Sequence, residues 1–355
     1  MKRLANAATR VGICFAIILC FSLTACEKGT KDSQVSYQYG LISSYEQDAT
    51  SKVLYLDKQA NIVGKKKLKI SNIGAGSYGY PIIKDGYVYE QSEGQGFNKN
   101  NCAIISMNLS NGEVKKYKFP RLVGISAFAV TDTYIYVVTN LNYKTYLERY
   151  CFENDTIEKY VIEDVIATDM CVCQEKVYLF DEVSEDGKSY KVYCADITSQ
   201  STRLVADVSS YYNEGDGFGF QVVDGKNIYF THNDEILKLN VETGKVKSIP
   251  LDCKEAFGAY IADGKLYVSS CDIFDIDSPA DILIVDLSTD TVTQSYHLET
   301  SVMQFYVSKD HLSVLGSDNT LYIYEITNEG ECKLQYKNNL EEKGYDFIMS
   351  FYEKP

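Results

Sequence analysis

One pattern recurs through the body of the chain and constrains the fold more than any single motif. Its first half is a turn, most clearly Asp-Gly, followed by a short strand with a tyrosine. The corresponding tyrosines are Tyr89, Tyr136, Tyr178, Tyr229 and Tyr267, at steps of 47, 42, 51 and 38 residues. A repeat of this length indicates a row or ring of similar units, each of which buries an apolar face against the next.

The second half of the pattern is an apolar strand that ends in a short polar turn. Seven copies lie at 53–57, 104–109, 146–152, 191–197, 236–241, 282–287 and 321–326. The turns are rich in Asn, Asp, Gly, Ser and Thr, which suit tight hairpins. A period of about 40–50 residues with about four strands per unit is typical of a β-propeller blade. We therefore predict an all-β propeller of seven four-stranded blades, with six or eight blades as the alternatives.

The two ends of the chain predict how the ring closes. Residues 345–352 are predicted to form an apolar strand that is not followed by the second half of the repeat. Residues 35–45 are predicted to begin a blade that lacks its innermost strand. We predict that the C-terminal strand fills that place, because a shared blade leaves no open seam between sheet edges.

The repeat resembles that of bacterial propellers of the YVTN and PQQ-repeat type, which combine an Asp-Gly-x-x-Tyr segment, an apolar strand and a Thr-Gly turn. Residues 242–246, Glu-Thr-Gly-Lys-Val, match this pattern best. Blades of the PQQ type usually carry a tryptophan after the Thr-Gly turn. Because this chain has no tryptophan, PQQ is not expected as a cofactor, and the resemblance implies a fold without a particular activity.

The N-terminus has the composition of an export signal. Lys2, Arg3 and Arg10 precede an uncharged apolar stretch over 11–23, which is too short to span a bilayer comfortably. Leu23-Thr24-Ala25-Cys26 follows and closely resembles the lipobox of bacterial prolipoproteins. This resemblance implies cleavage before Cys26 and attachment of acyl chains such as palmitate to that cysteine.

We therefore predict a signal peptide over 1–25, a lipidated tether over 26–34 and a single propeller domain over 35–355. The expected location is the extracytoplasmic face of the cell membrane, where two or more acyl chains give stable anchoring. The alternatives are an ordinary secretory signal with a chance cysteine and an uncleaved N-terminal anchor.

Net charge limits the partners of the body. The formal charge is −14, and it becomes −17 once the three cations of the leader are removed. Such an acidic body repels phosphate backbones and anionic lipid. Nucleic acid is therefore excluded, and the only expected membrane contact is the N-terminal lipid.

Cysteines and histidines give no clear chemical site. Eight cysteines follow the predicted lipidation site: Cys102, Cys151, Cys171, Cys173, Cys194, Cys253, Cys271 and Cys332. An even number permits disulfides in an exported protein, and buried thiols are equally compatible. Cys171 and Cys173 would point to the same side of a strand. The three histidines lack metal-ligand spacing, and no G-x-S-x-G elbow is present.

Candidate ligand residues lie on loops that the repeat assigns to one face. In known propellers, loops between the second and third strands share a face with the inter-blade connections, and this is the usual ligand side. We predict a ligand face that includes Tyr78, Tyr80, Tyr211, Tyr212 and Asp216. Aromatic and acidic side chains on such loops could hold a sugar, a polymer or a cationic peptide.

An acidic cluster is the candidate metal site. Asp272, Asp275, Asp277 and Asp281 fall within ten residues, and clustered carboxylates suit Ca²⁺. The spacing differs from that of an EF-hand, so a solvated acidic loop is the alternative. No other cofactor is expected.

Two further motifs have structural interpretations. Residues 74–79 match G-x-G-x-x-G, but a strand rather than a helix follows, which indicates an inter-blade loop. The lysine run at 65–69 is expected on an outer strand of the first blade. There it would protect a sheet edge or contact an anionic lipid or wall polymer.

Two classes of function remain open. The favoured one is a non-enzymatic lipoprotein that binds a ligand or protein, or acts as a scaffold. The alternative is a propeller hydrolase or lyase that acts on an extracellular glycan or lactone. No motif identifies catalytic residues.

Overall fold

The computed structural model describes residues 36–45, 48–74, 80–92, 102–120, 124–182, 189–213, 217–271, 275, 278–327 and 329–355. These residues form seven four-stranded antiparallel sheets. The predicted all-β propeller with seven blades is therefore confirmed. Among the described residues, helical structure is restricted to two single 3₁₀ turns, Ser209–Tyr211 and Glu341–Lys343.

The blades are numbered along the chain, and their strands are given from the innermost outward. Blade 1 contains β28 (Ile348–Glu353), β1 (Tyr39–Ser43), β2 (Ser51–Leu56) and β3 (Ile62–Leu68). Blade 2 contains β4 (Ile82–Lys84), β5 (Tyr87–Ser92), β6 (Ala103–Asn108) and β7 (Val114–Lys118). Blade 3 contains β8 (Ala127–Val130), β9 (Tyr134–Leu141), β10 (Lys144–Cys151) and β11 (Ile157–Ile162).

The remaining four blades follow the same order. Blade 4 contains β12 (Ala167–Cys173), β13 (Lys176–Asp181), β14 (Lys191–Asp196) and β15 (Ser201–Asp207). Blade 5 contains β16 (Gln221–Asp224), β17 (Asn227–His232), β18 (Glu235–Asn240) and β19 (Val246–Pro250). Blade 6 contains β20 (Ala256–Ala262), β21 (Lys265–Ser270), β22 (Ala280–Asp286) and β23 (Thr291–Leu298). Blade 7 contains β24 (Gln304–Val307), β25 (His311–Leu315), β26 (Thr320–Ile326) and β27 (Cys332–Asn339).

The core of the ring is divided into seven hydrophobic clusters, and each cluster lies between two neighbouring blades. The cluster between blades 7 and 1 includes Leu41 and Leu54 from one side and Leu315 and Leu321 from the other. Because this last pair of blades is packed like the other six, the ring is closed. Every blade thus buries apolar side chains on both of its faces.

Closure depends on the C-terminal strand. β28 pairs antiparallel with β1, so that Tyr39 lies opposite Glu353 and Ile42 opposite Ser350. Phe351 and Tyr352 on β28 are fully buried. The prediction that the C-terminal strand completes the first blade is confirmed.

The repeated tyrosine has a packing role. In five blades it is the third residue of the second strand, and its side chain is buried between blades. These tyrosines are Tyr89, Tyr136, Tyr178, Tyr229 and Tyr267. Burial of the ring raises the pKa of the Tyr89 hydroxyl to about 12. The motif that revealed the fold is therefore a structural one.

Positive φ angles occur in the tight hairpins between third and fourth strands. One residue of each is left-handed: Ala60, Gly112, Asp155, Gln200, Gly244, Asp290 and Gly330. These hairpins and those between first and second strands form one face, which we call the turn face; the opposite one is the loop face. Both β1 and β28 have their terminal ends, Tyr39 and Glu353, on the turn face.

The cysteines are thiols in this fold. No disulfide joins any of the eight cysteines of the described residues. Cys171 and Cys173 pack into the same cluster, between blades 4 and 5, as their spacing predicts. The predicted leader, Cys26 and the tether lie outside the described residues. Within the described part of the chain, no helix is long and apolar enough to cross a membrane.

Candidate functional site

The predicted ligand face is described only in part. Tyr78 and Asp216 lie outside the described residues, so the face as a whole stays a prediction. Tyr80, Tyr211 and Tyr212 are described, and each has a structural contact that the sequence did not reveal.

Tyr80 lies at the centre of the ring rather than on a surface loop. Its ring centroid is 5.6 to 6.3 Å from those of Phe220, Tyr260, Phe305 and Tyr306, which belong to blades 5, 6 and 7. Its hydroxyl accepts the Phe305 N–H at 3.3 Å, and burial holds its pKa far above the usual value. Aromatic rings from four blades therefore fill the central channel at this level.

Tyr212 and Tyr211 support the wall between blades 4 and 5. The Tyr212 ring stacks on Tyr190 at 4.2 Å and contacts the His232 imidazole at 4.0 Å. His232 Nε2 donates to the Tyr211 carbonyl oxygen at 2.8 Å. Tyr212 is buried, whereas Tyr211 is partly exposed at the edge of the loop face. Tyr80 is also partly exposed, so Tyr212 is the one buried side chain among the three described tyrosines.

The predicted calcium site is also described in part. Asp272 and Asp277 lie outside the described residues, and Asp275 is exposed. Asp281, on β22, accepts from Nδ1 of His297 on β23 at 2.9 Å. Among the described residues, no three His, Cys, Asp or Glu side chains are grouped so as to hold a metal ion. The calcium site therefore stays a prediction.

Two carboxyl groups near the channel titrate close to neutral pH. Burial raises the pKa of Asp169, on the innermost strand of blade 4, to about 7, and the Glu182 charge adds to this rise. Burial raises the pKa of Glu90, on β5, to about 8, although it accepts a hydrogen bond from the Ser350 hydroxyl. Such values are typical either of acid–base groups or of buried structural carboxyls.

A cleft of about 780 Å³ lies on the turn face, between blades 3 and 4. Its walls are the β8–β9 turn with Asp132, the β12–β13 turn with Glu175, and the β14–β15 turn with Thr198. The lining is mostly polar and includes several hydroxyl side chains: Thr131, Thr133, Thr198, Ser201 and Thr202. This recess lies on the face opposite the predicted ligand face.

Arg149 on β10 is held rigidly in the wall of this cleft. Its Nη2 donates to Glu158 Oε2 at 2.7 Å and to Thr198 Oγ1 at 3.0 Å. The guanidinium lies 4.5 Å from the centre of the Tyr134 ring, an arrangement that stabilises a cation over an aromatic face. The side chain is only 12% exposed, so Arg149 joins blades 3 and 4 and fixes the shape of the recess.

The other charged side chains of the cleft balance one another, with three cations and three carboxylates in the lining. The Ser199 hydroxyl and the N–H groups of Thr198 and Ser199 lower the pKa of the Asp196 carboxyl, and Lys84 pairs with Asp132. Arg203 and Lys176 are exposed and form no ion pair with the described residues. Glu175 and Asp196 likewise form no ion pair with the described residues. The cleft therefore presents two unpaired cations and two carboxylates together with hydroxyl groups.

Sequence reasoning missed this cleft, although one signal was available. The chain has only three arginines after the leader, Arg121, Arg149 and Arg203, and two of them line the cleft. Arg149 also places a charge on a strand whose equivalents in other blades are mainly apolar. Because the two arginines are 54 residues apart, only the ring geometry brings them together.

No model of a known protein family matches this chain, and no curated protein matches it. Among solved structures, a candidate 6-phosphogluconolactonase from Bacteroides uniformis has a TM-score of 0.59 at 10% identity, covering 89% of this chain and 99% of that one. The tricorn protease has a TM-score of 0.50 at 12% identity, covering 87% of this chain and 36% of that one. A nidogen/laminin complex has a TM-score of 0.44 at 13% identity, covering 73% and 93%. At these identities the similarity shows the fold alone.

Proposed function

We propose that the protein is a lipid-anchored, extracytoplasmic binding propeller, and that the cleft between blades 3 and 4 holds an acidic saccharide. The cleft itself carries this proposal, because it is a large polar recess with fixed walls and free cations at its rim. The anchor rests on the lipobox resemblance at Cys26.

The chemistry of the lining favours a ligand with both carboxylate and hydroxyl groups. Arg203 and Lys176 form no ion pair with the described residues, and charge-assisted hydrogen bonds from such groups are strong. Threonine and serine hydroxyls both donate and accept, which suits sugar hydroxyls. A mostly apolar ligand would leave these groups unpaired at considerable cost.

The same groups favour binding over catalysis in this cleft. General acid–base catalysis requires a group that exchanges protons near the working pH. Arg149 and Arg203 are permanently charged, and hydrogen bonds from the Ser199 hydroxyl and the turn N–H groups hold the pKa of Asp196 below its usual range. The cleft therefore offers fixed charges that can orient a ligand.

The binding proposal is tested by calorimetry with galacturonate oligomers and matched neutral galactose oligomers. We expect binding of the acidic series only, and a loss of about tenfold or more in affinity for Lys176→Gln/Arg203→Gln. Lys226→Gln/Lys245→Gln removes two exposed lysines from blade 5 and should leave affinity unchanged. Equal binding of neutral oligomers, or an equal loss in the control, would refute the proposed ligand class.

The anchor is tested separately by labelling cells that express the protein with a palmitate analogue. The wild-type chain should incorporate label and partition into detergent, and Cys26→Ser should abolish both. Label retained by Cys26→Ser would show that the lipobox interpretation is wrong while leaving the cleft proposal intact.

Hydrolysis of a glycan or lactone is the second candidate, and Asp169 is the observation that favours it. A carboxyl with a pKa of about 7 beside a channel could exchange protons at neutral pH. The structural neighbour described as a candidate 6-phosphogluconolactonase makes lactones the first substrates to test. Turnover that disappears in Asp169→Asn and persists in Lys176→Gln/Arg203→Gln would favour this function; no turnover in the wild type would refute it.

A further inference from the structure

Lysines are concentrated on the outer edges of blades 1 and 2. We call this set the basic edge, and it consists of Lys65, Lys66, Lys67, Lys69, Lys115, Lys116 and Lys118. All but Lys69 lie on the outermost strands, β3 and β7, and Lys69 directly follows β3. The edge thus belongs to two adjacent blades.

One hydrogen bond links the two parts of the basic edge. Lys66 Nζ donates to the Gly112 carbonyl oxygen at 2.7 Å, which joins β3 to the β6–β7 turn of blade 2. Lys116 and Lys118 lie on the same side of β7. Burial lowers the pKa of Lys116, and the like charge of Lys118 lowers it further. These two cations are therefore close enough to repel each other.

Little on the protein neutralises these charges. Lys115 lies 3.7 Å from an Asp155 carboxylate oxygen, and the other six lysines form no ion pair with the described residues. Lys65, Lys67, Lys69 and Lys118 are exposed. Their positive charge is therefore available to an external partner.

The net charge of the chain conceals a strong asymmetry around the ring. Residues 48–74, in blade 1, contain six lysines and two carboxylates, whereas residues 255–299, in blade 6, contain one lysine and nine carboxylates. The Debye length at physiological salt is about 8 Å, so exposed charges on distant blades are largely screened from one another. Repulsion of anionic lipid, which the total charge predicts, does not apply at the basic edge.

We propose that the basic edge docks on an anionic bilayer surface. This inference rests on the proposed lipid anchor, because a tether over 26–34 reaches at most about 30 Å and joins blade 1 directly. One lipid signal combined with a basic surface gives firmer membrane binding than either alone. Protection of the β3 edge explains its exposed lysines, but it does not explain Lys66 and Lys116, which are partly buried between the two blades.

The test uses residues 26–355 with Cys26→Ser, which retain every described contact and carry no lipid. Sedimentation with vesicles of phosphatidylcholine and phosphatidylglycerol in equal parts is compared with phosphatidylcholine alone. We expect binding to the anionic vesicles only, and its loss at high salt. Changing Lys65, Lys67, Lys69 and Lys118 to Gln should weaken binding by about tenfold or more.

The matched control changes four exposed lysines elsewhere, Lys159, Lys226, Lys245 and Lys254, to Gln and so has the same net charge. It should bind like the unmodified chain. Equal binding to both vesicle types, no binding to either, or an equal loss in the control would each overturn the proposal. Because the protein in this test has no lipid, a negative result would not affect the proposals of a lipid anchor at Cys26 and of a saccharide in the cleft.

Discussion

Glu90→Gln should make the ring more stable at alkaline pH and leave it nearly unchanged in mild acid. Glu90 is 4% exposed and accepts a hydrogen bond from Ser350 on the strand that closes the ring. Burial raises its pKa from 4.5 to about 8. Below the ordinary pKa the carboxyl is protonated in both the folded and the unfolded chain, so it makes no pH-dependent difference there.

Between these two pKa values the unfolded chain ionises Glu90 while the folded chain keeps it neutral. The folded state then binds more protons, so the free energy of unfolding falls as pH rises. One pKa unit corresponds to about 1.4 kcal/mol, which gives a total loss of about 5 kcal/mol above pH 8. Glutamine cannot ionise, so the stability gap between the variant and the wild type should widen by about 3–4 kcal/mol from pH 5 to pH 8.

The measurement is guanidinium unfolding at pH 5, 6, 7 and 8, followed by far-ultraviolet circular dichroism because the chain has no tryptophan. Every other titrating group contributes equally to both proteins and cancels in the difference. Glu113→Gln, at an exposed position in the same blade, is the matched control and should show no widening gap. Parallel curves for Glu90→Gln and wild type, or a gap that narrows with pH, would refute the reasoning.

Three further outcomes are expected from the same fold. His311→Gln should destabilise the ring by about 1–2 kcal/mol at pH 6 and less at pH 9. His311 Nε2 lies 2.6 Å from a Glu353 carboxylate oxygen, and this partner raises the imidazole pKa. The stabilisation that His311 provides is present below the imidazole pKa of the unfolded chain, and it disappears as pH rises through the imidazole pKa of the folded chain. An equal loss of stability in His311→Gln at both pH values would contradict this. Tyr143→Gly should raise stability by about 1 kcal/mol in thermal unfolding, because Asn142 and Tyr143 both have positive φ in a two-residue hairpin; a lower midpoint would count against it. Phe351→Ala should cost about 3–5 kcal/mol, since its fully buried ring packs between blades 7 and 1; a loss below about 1 kcal/mol in guanidinium unfolding would show that β28 does not hold the ring closed.

The fold could be predicted because each blade repeats the same physical problem. A four-stranded sheet that packs on both faces needs nearly continuous apolar runs in its inner strands and a tight turn at each hairpin. These needs recur with every blade, so they appear in the sequence as a period. Blade 1 departs from the pattern only because its innermost strand comes from the C-terminus, and the unpaired strand at 345–352 made that departure visible.

The candidate sites could not be predicted in the same way, because they depend on where the ring differs from its own repeat. Tyr80 follows the G-x-G-x-x-G segment and looks like a loop residue, yet it lies among rings from three other blades. Arg149 and Arg203 meet only because blades 3 and 4 are neighbours. The surroundings of each of these residues depend on tertiary packing, which the local sequence does not show.

The same argument applies to charge. A total of −14 describes the protein only at distances much larger than a blade, where separate charges act together. In physiological salt, exposed charges act over about 8 Å. A partner that contacts Lys67 is therefore subject to the charges of blade 1 and not to those of blade 6. Net charge therefore excludes a partner such as nucleic acid only if that partner must cover most of the ring. A flat surface that contacts two outer strands is subject to a local field of opposite sign, and for this reason the basic edge and the acidic blade can coexist in one molecule.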